Sequence, residues 1–191
     1  MTCIFHIQDS NGHRVESFKA VSDVMTDFYK NLLGRTEVQR ANVDPRVIKA
    51  GPSLSLEHQV QLCRPFSNTK IKQMFCSIPN HKSPGPDGFS SGFYKACWGD
   101  IGPLVCNAIN KFFSTGYLRE FFCQTKLVLL PKINNPNKAK DFRPISCCKT
   151  VYECITNLIC SRLKEVLPHI IDKGQWDFVK GRELLFNVLL C

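Results

Sequence analysis

Two cations, Lys132 and Arg143, lie at the inner ends of two predicted strands, on either side of a polar connection. If the strands pair as a hairpin, the two charges approach one another, and an anion usually lies between cations held this close. A triphosphate fits such a pair, because lysine acts as a point charge and arginine as a bidentate fork. The alternative is two ordinary solvated side chains at strand ends, and spacing alone favours this alternative.

The stretch KSPGPDG, residues 82–88, is a second candidate. Gly and Pro at this density fix a turn and cannot continue a helix. The stretch lacks the pattern G-x-x-x-x-G-K-[ST], so it is not a P-loop. Lys82 and Asp87 are candidates for contact with a nucleic-acid backbone or for capping the next helix. The simpler interpretation is a rigid turn that positions that helix.

A third candidate, FVKGR at residues 178–182, places two cations beside a glycine, where a backbone could approach a phosphate closely. A plain turn at the entry of a helix explains it equally well. The chain has no adjacent carboxylate pair, no G-x-S-x-G and no H-E-x-x-H. It therefore offers no convincing arrangement for acid–base or nucleophilic catalysis.

The composition predicts a folded, basic chain. Of 191 residues, 43% are hydrophobic, which favours a packed core over disorder. The formal charge is +9, and residues 126–182 carry eleven Lys or Arg against five Asp or Glu, whereas residues 1–88 carry eleven against eight. The positive field is concentrated in the second half and suits a polyanionic partner, although mildly basic globular proteins are common.

The cysteines predict a reducing, intracellular compartment. The chain has 11 of them at irregular spacings, with no C-x-x-C and no zinc-finger pattern. Those inside apolar patterns are expected to be free, buried thiols: Cys97, Cys106, Cys154 and Cys160. The N-terminal stretch does not read as a signal peptide, and the longest aliphatic run, Leu127–Leu130, is too short to span a membrane. Nuclear and cytosolic locations both stay open.

In the first part of the chain, Asn11-Gly12 predicts the turn of a short hairpin. Apolar residues then recur at helical spacing from Phe18 to Leu33, and Gly34 stands at the expected C-terminal cap. Residues 35–67 contain three prolines and little periodicity, which predicts a linker. A short helix is expected over residues 68–76.

In the second part, Asp100 and Gly116 bound a predicted helix with Leu104 in its buried stripe. KLVLLPK has the form of a strand buried on both faces, and FRPIS predicts a second strand. Residues 134–140 between them are expected to form a mobile loop. Thr150 and Glu153 predict a capping box for a helix that stops at Pro168 and buries Ile159 and Leu163.

Four stretches carry a resemblance to a known family: KSPGPDGFSSGFYKACW, TKLVLLPK, KDFRPISCCKTVYECITNLICSRLKEVLPHII and FVKGRELLFNVLLC. In this order and at about this spacing, they resemble the reverse transcriptase of LINE-type (non-LTR) retrotransposons, of the kind abundant in plant genomes. SFKAVSDVMTDFYKNLLG is similar to the segment that precedes the polymerase in those proteins. The resemblance thus implies an N-terminal segment over 1–67 and a partial reverse transcriptase domain over 68–191.

The resemblance implies an α+β, mostly helical fold: the fingers subdomain and the start of the palm of a right-hand polymerase. Lys132 and Arg143 match family residues that bind the triphosphate of the incoming nucleotide, which reverses the preference drawn from spacing alone. The opening Gly/Pro stretch matches a fingers extension that packs against the template. The implied template-contacting residues are Lys82, Gly85, Asp87, Gln175, Lys180 and Arg182. Implied partners are an RNA template, a DNA primer and a deoxynucleoside triphosphate, with neither a membrane nor a protein partner.

Two departures from the family matter. Trp176 and Asp177 replace a pair of small residues between Gln175 and Phe178. The aspartates that hold Mg²⁺ in the full-length family have no counterpart, since Glu183 is the only acid after residue 182. We therefore expect no catalytic residues, no metal site, no cofactor and no polymerase activity from these residues alone. The alternatives are a non-catalytic, basic nucleic-acid-binding module and an inert, pseudogene-like remnant.

Overall fold

The computed structural model describes residues 4–34 and 42–172, and its fold is α+β and mostly helical, as predicted. The chain divides into two compact units. The first unit holds the described residues of 1–42 together with 127–146, and the second holds the described residues of 43–126 and 147–191. The division predicted at residue 67 follows the family resemblance and stays a prediction.

The first unit begins with the predicted hairpin. Strands β1 (Ile7–Gln8) and β2 (Arg14–Val15) pair antiparallel. The Asp9 carboxylate closes the turn, because it accepts the backbone N–H groups of Asn11 at 2.9 Å and His13 at 2.8 Å. Gly12 has a φ of +85°, which a residue with a side chain rarely adopts, so the predicted Asn11-Gly12 turn is confirmed.

Helix α1 (Phe18–Leu33) follows, and its first turn is capped by the Ser17 hydroxyl, which accepts the Ala20 N–H at 3.2 Å. The helix buries Val21, Met25 and Tyr29. The predicted stripe was too long at both ends, because Phe18 and Leu33 are 90% and 72% exposed. The middle of the helix therefore carries the packing of the first unit.

Strands β3 (Thr125–Pro131) and β4 (Phe142–Cys148) form a second two-stranded antiparallel sheet, which confirms their predicted pairing. The connection between them ends in a 3₁₀ helix, Ala139–Asp141. The prediction that β3 is buried on both faces is wrong, since Leu127 and Leu130 are almost half exposed. Leu129 of this strand packs against the apolar cluster of the first unit.

The second unit is helical. Its helices are α2 (Pro45–Ala50), α3 (Leu56–Cys63), α4 (Asn68–Ser77), α5 (Ser91–Ala96), α6 (Trp98–Thr115), α7 (Glu120–Cys123) and α8 (Thr150–Ile170). Helices α2 and α3 lie within the stretch predicted as a linker, so its described part contains regular structure that the sequence analysis did not predict. Neither helix buries a residue, which is why no apolar periodicity revealed them.

The core of the second unit forms where α4, α5, α6 and α8 pack together. Its buried residues are Phe66, Ile71, Phe75, Ile78, Tyr94, Val105, Cys106, Ile109, Val151, Cys154, Ile155 and Leu158. Gly116, at a φ of +70°, ends α6 as predicted. Leu104, Ile159 and Leu163, by contrast, are exposed rather than buried, because the buried stripes of α6 and α8 are narrower than their apolar patterns.

Both predicted ends of α8 need correction. Thr150 does not cap the helix: it is the first helical residue, and its hydroxyl donates to the Phe89 carbonyl at 2.9 Å instead. The helix also continues through Pro168 to Ile170. A proline this close to the C-terminal end removes one backbone hydrogen bond, while the Ile171 N–H still donates to the Leu167 carbonyl at 3.0 Å.

Of the four cysteines predicted as buried thiols, Cys106 and Cys154 are buried and free, Cys97 is partly buried and free, and Cys160 is exposed. The prediction that Cys160 is buried is wrong, because this residue lies on the exposed side of α8. Among the described helices, none has the length and apolar character needed to cross a membrane.

Candidate nucleotide-binding hairpin and template-contacting loop

The β3–β4 hairpin, which carries Lys132 and Arg143, is attached to the core of the first unit. Phe142, the first residue of β4, is buried together with Ala139 against Tyr29 of α1. The Tyr29 hydroxyl donates a buried hydrogen bond to the Phe142 carbonyl at 3.2 Å. Burial raises the pKa of this phenol, so the hydroxyl keeps its proton and stays a donor.

The connection between the strands is organised by Asp141. Its carboxylate accepts the backbone N–H groups of Lys138 at 2.9 Å and Asn137 at 3.1 Å. The pKa of Asp141 is lowered, and the hydrogen bond from Lys138 is the largest cause. Burial opposes this shift in part, whereas the bond from Asn137 and the charges of Lys140 and Lys138 lower the pKa further. Gln8 of β1 also donates to the Asn137 carbonyl at 2.7 Å. The predicted mobile loop is therefore held in place over its second half.

Lys132 is exposed and directly follows β3. Its backbone N–H donates to the Asp141 carbonyl at 2.8 Å, and its ammonium donates to the Lys140 carbonyl at 2.7 Å. The ammonium thus has a neutral partner and forms no ion pair with any residue in 4–34 or 42–172. A carbonyl is a partner that an arriving phosphate oxygen can replace or join.

Arg143 directly follows the buried Phe142 on β4. Neighbouring side chains on a strand point to opposite faces, so the Arg143 side chain points away from α1, and it is exposed. Its guanidinium makes neither a hydrogen bond nor an ion pair within the described part of the chain. From residue 132 to residue 143 there are four Lys or Arg and one acid, Asp141, whose carboxylate already accepts two backbone bonds. The hairpin therefore carries a net positive charge, which the Asp141 carboxylate offsets only in part.

The Gly/Pro loop, residues 82–88, forms a tight turn in the second unit. The Gly88 N–H donates to the Gly85 carbonyl at 3.1 Å, with Pro86 at the second position of the turn. The Asp87 carboxylate accepts the Phe89 N–H at 3.2 Å and so fixes the exit of the turn. Asp87 thus acts within its own loop in this structure.

Gly85 lies against the backbone at the start of α8. A Cβ on Gly85 would be 2.6 Å from the Lys149 nitrogen and 2.7 Å from the Lys149 Cα, which no side chain can occupy. On the same helix, Glu153 forms an ion pair with Lys82, whose side chain is 55% exposed. The loop is therefore a rigid corner that packs against the start of α8. Of its three predicted template-contacting residues, Lys82 and Asp87 could contact a ligand through a side chain, whereas Gly85 could do so only through its backbone.

Sequence analysis missed Lys149, which is 1% exposed. Its ammonium donates to the Phe121 carbonyl and lies 2.9 Å from the centroid of the Phe121 ring. A carbonyl and an aromatic face together stabilise a buried cation without a carboxylate. A lysine beside two cysteines carries no signal of burial in the sequence, because both of its contacts come from another helix.

The structure therefore groups five predicted site residues in two places: Lys132 and Arg143 on the hairpin, and Lys82, Gly85 and Asp87 in the Gly/Pro loop. The remaining three, Gln175, Lys180 and Arg182, lie outside the described residues. Within residues 4–34 and 42–172, no three His, Cys, Asp or Glu side chains form a group that could hold a metal ion.

Comparison with known proteins gives one informative similarity. The chain is 29% identical over 190 residues to a protein described as "Transposon TX1 uncharacterized 149 kDa protein" from Xenopus laevis. The match covers 100% of this chain and 14% of that protein, so the chain spans about one seventh of its relative. No protein-family model matches the chain.

Proposed function

We propose that the chain derives from a non-LTR retrotransposon and is part of the fingers subdomain of a reverse transcriptase. In this proposal the β3–β4 hairpin is the nucleotide grip, that is, the site that binds the triphosphate of an incoming deoxynucleotide. The similarity to a transposon protein over the full length of the chain supports the origin. The resemblance of the four sequence stretches supports the reverse transcriptase. The observation that carries the nucleotide grip is the exposed guanidinium of Arg143. It has no ionic partner among residues 4–34 and 42–172, and it lies beside Phe142, which is anchored in the core.

The two cations have different roles in this proposal. The Arg143 guanidinium holds two phosphate oxygens at once, because its N–H groups form a planar fork. The Lys132 ammonium adds a point charge whose direction is set by the Lys140 carbonyl. The bonds of Asp141 hold the connection in shape without placing a free carboxylate against the ligand. Binding and orientation of the triphosphate are the contribution of this chain in the proposal.

The Gly/Pro loop has a template-side role in the same proposal. Gly85 lets the loop pack backbone against backbone on α8, so the corner cannot shift without moving that helix. A rigid corner suits a surface along which a template strand slides. Lys82 is the residue with an exposed cation there, and its pairing with Glu153 positions it.

The second candidate is a non-catalytic nucleic-acid-binding module. Residues 132–143 hold four cations and one acid, and this positive balance also supports that candidate. The two candidates differ in ligand. A nucleotide grip prefers a deoxynucleoside triphosphate over the corresponding monophosphate, whereas a polyanion-binding surface prefers long strands and ignores the single nucleotide.

The test is equilibrium binding of a fluorescent deoxynucleoside triphosphate to the 191-residue chain. We expect the triphosphate to bind more tightly than the monophosphate. Arg143→Ala should raise its Kd about tenfold or more, since a hydrogen bond to a charged group contributes roughly 1.5–3 kcal/mol. Arg46→Ala is the matched control, because Arg46 is exposed but paired with Asp44. Equal affinities for triphosphate and monophosphate, or an Arg143→Ala variant that binds like the parent, would refute the nucleotide grip.

A further inference from the structure

A second basic surface lies within the helical unit. It is an open groove of about 800 Å³, bounded by the segment between α3 and α4, by α6 and by α8. Its lining residues are Leu62, Cys63, Arg64, Pro65, Phe66, Asn107, Asn110, Lys111, Phe113, Ser114 and Arg162. These include three cations and no acid, so the charge of the lining favours an anionic ligand.

One wall of the groove is a polar stripe on α6. Asn107, Asn110, Lys111 and Ser114 follow one another at i, i+3, i+4 and i+7, so they share one face of the helix. The Asn110 amide donates to the Asn68 side chain at 3.0 Å, which orients it. A stripe of amides, a hydroxyl and an ammonium offers hydrogen bonds to phosphates, sugars and base edges alike.

The floor of the groove is aromatic. The rings of Phe66 and Phe113 have centroids 4.6 Å apart, and the Arg162 guanidinium lies 3.4 Å from the centroid of Phe66. Phe66 is buried and belongs to the core, whereas Phe113 is only partly buried and is the ring within reach of a ligand. The floor therefore combines a fixed cation with a π surface.

Arg162 is fixed by main-chain oxygens rather than by a carboxylate. Its guanidinium donates to the Leu62 carbonyl at 2.8 Å and to the Arg64 carbonyl. Burial lowers the pKa of Arg162, and the nearby charges of Cys63 and Glu165 oppose this. The Glu165 carboxylate accepts a hydrogen bond from Gln61, and neither residue belongs to the lining of the groove.

Arg64 and Lys111 are the two exposed cations of the groove. Within residues 4–34 and 42–172, neither side chain makes a hydrogen bond or an ion pair. Both side chains are therefore available to a ligand, and neither side chain stabilises the fold through a polar contact among the described residues. An unpaired Arg and an unpaired Lys in the same groove, above an aromatic floor, are a combination used to hold a phosphate backbone while a base stacks below.

We infer that this groove binds a short single-stranded segment of nucleic acid, with phosphates on Arg64 and Lys111 and a base against Phe113. The open groove has room for a few nucleotides rather than for a duplex, whose bases are already stacked and unavailable. The amide stripe on α6 can meet any base edge, so little sequence preference is expected. This inference stands on the groove alone and does not depend on the nucleotide grip of the hairpin.

The test measures binding of a fluorescein-labelled oligothymidylate of about twelve nucleotides to the 191-residue chain by anisotropy. The salt concentration is varied between about 50 and 200 mM, a range over which several phosphate contacts change the affinity by orders of magnitude. Arg64→Ala/Lys111→Ala should raise the Kd about tenfold or more and reduce the slope of log K against log salt by about 1.4, since each phosphate contact to a single strand contributes roughly 0.7. Lys70→Ala/Lys72→Ala removes the same charge from α4, outside the groove lining, and should change the Kd less than twofold.

Two further arms make the result specific. Polyglutamate and a blunt duplex of the same length are added as competitors, and a single-stranded competitor should displace the probe at far lower concentration than either. Circular dichroism checks that both double variants are folded. The inference is overturned if the two double variants lose affinity equally, since the charge would then act diffusely, or if polyglutamate competes as well as the single strand.

Discussion

The Tyr29 hydroxyl donates to the Phe142 carbonyl across 113 positions of sequence, in a buried hydrogen bond of 3.2 Å. This bond joins α1 to β4 one residue before Arg143. Helix α1 belongs to the segment that the resemblance places before the polymerase, yet it packs directly under the hairpin that carries the proposed nucleotide grip. The early segment is thus part of the support of that hairpin.

Tyr29→Phe should destabilise the chain by about 1 kcal/mol. The substitution keeps the ring in the core and removes only the donor, and a net hydrogen bond contributes roughly 0.5–1.5 kcal/mol. The measurement is urea denaturation followed by circular dichroism. Tyr117→Phe is the control, because Tyr117 is 70% exposed, and it should leave the unfolding midpoint unchanged. Equal midpoints for Tyr29→Phe and the parent would show that the bond contributes nothing.

Gly85→Ala should destabilise the chain by about 1–3 kcal/mol, the range for forcing a methyl group into a packed site. The new Cβ would meet backbone atoms of Lys149 at 2.6 and 2.7 Å, and a backbone cannot move aside as a side chain can. Gly99→Ala is the matched control, since a Cβ there meets nothing within 4 Å and the residue is helical. That control should be neutral or stabilising by about 0.5 kcal/mol. Thermal unfolding of both variants decides the matter, and similar effects of the two would contradict the docked corner.

How much of this could be predicted from the sequence depended on whether burial left a periodic pattern. Helices α1 and α6 were predictable because apolar residues recur at helical spacing. Helices α2 and α3 were not, because they bury nothing. The pairing of β3 with β4 was predictable from two apolar runs joined by a polar connection, whereas the exposure of β3 was not, because it depends on what packs against the sheet.

The candidate site follows the same division. Lys132 and Arg143 were candidates from the sequence, since both lie at the inner end of a predicted strand and resemble family residues, and their role stays a prediction. Their support was not identifiable, because Tyr29 and Gln8 reach the hairpin from more than one hundred residues away. Lys149 was missed for the same reason: a lysine is buried only if a distant carbonyl and ring receive it.

Cys154 should resist alkylation in the folded chain. Burial, the charge of Cys106 and the charge of Glu153 raise the pKa of its thiol to about 12, so almost no thiolate exists at pH 8. The folded pKa lies above the usual value of 9.0, so the stabilisation linked to the neutral thiol is complete below pH 9.0 and is lost as the pH rises towards 12. Iodoacetamide at pH 8, followed by peptide mass spectrometry, should label the exposed Cys63 and Cys123 and leave Cys154 unmodified. Labelling of Cys154 at the rate of Cys63 would contradict its burial.

Asp141→Asn should loosen the connection that supports Lys132. The Asp141 carboxylate accepts the N–H groups of Lys138 and Asn137, and these bonds favour its charged form, so its pKa lies below the usual value of 3.8. A lowered pKa means that the stabilisation from the carboxylate is present above pH 3.8 and is lost as the pH falls through the folded pKa.

At pH 7, we therefore expect Asp141→Asn to lower the unfolding midpoint and to speed amide hydrogen exchange at Asn137 and Lys138. As the pH falls below 3.8 and through the lowered folded pKa, the stabilisation from the carboxylate is lost, so the difference in midpoint between parent and variant should shrink. Asp23→Asn, on the exposed side of α1, is the matched control and should leave the unfolding midpoint at pH 7 unchanged. A midpoint difference that stays constant from pH 7 to pH 3 would show that the charge of Asp141 does not hold the connection.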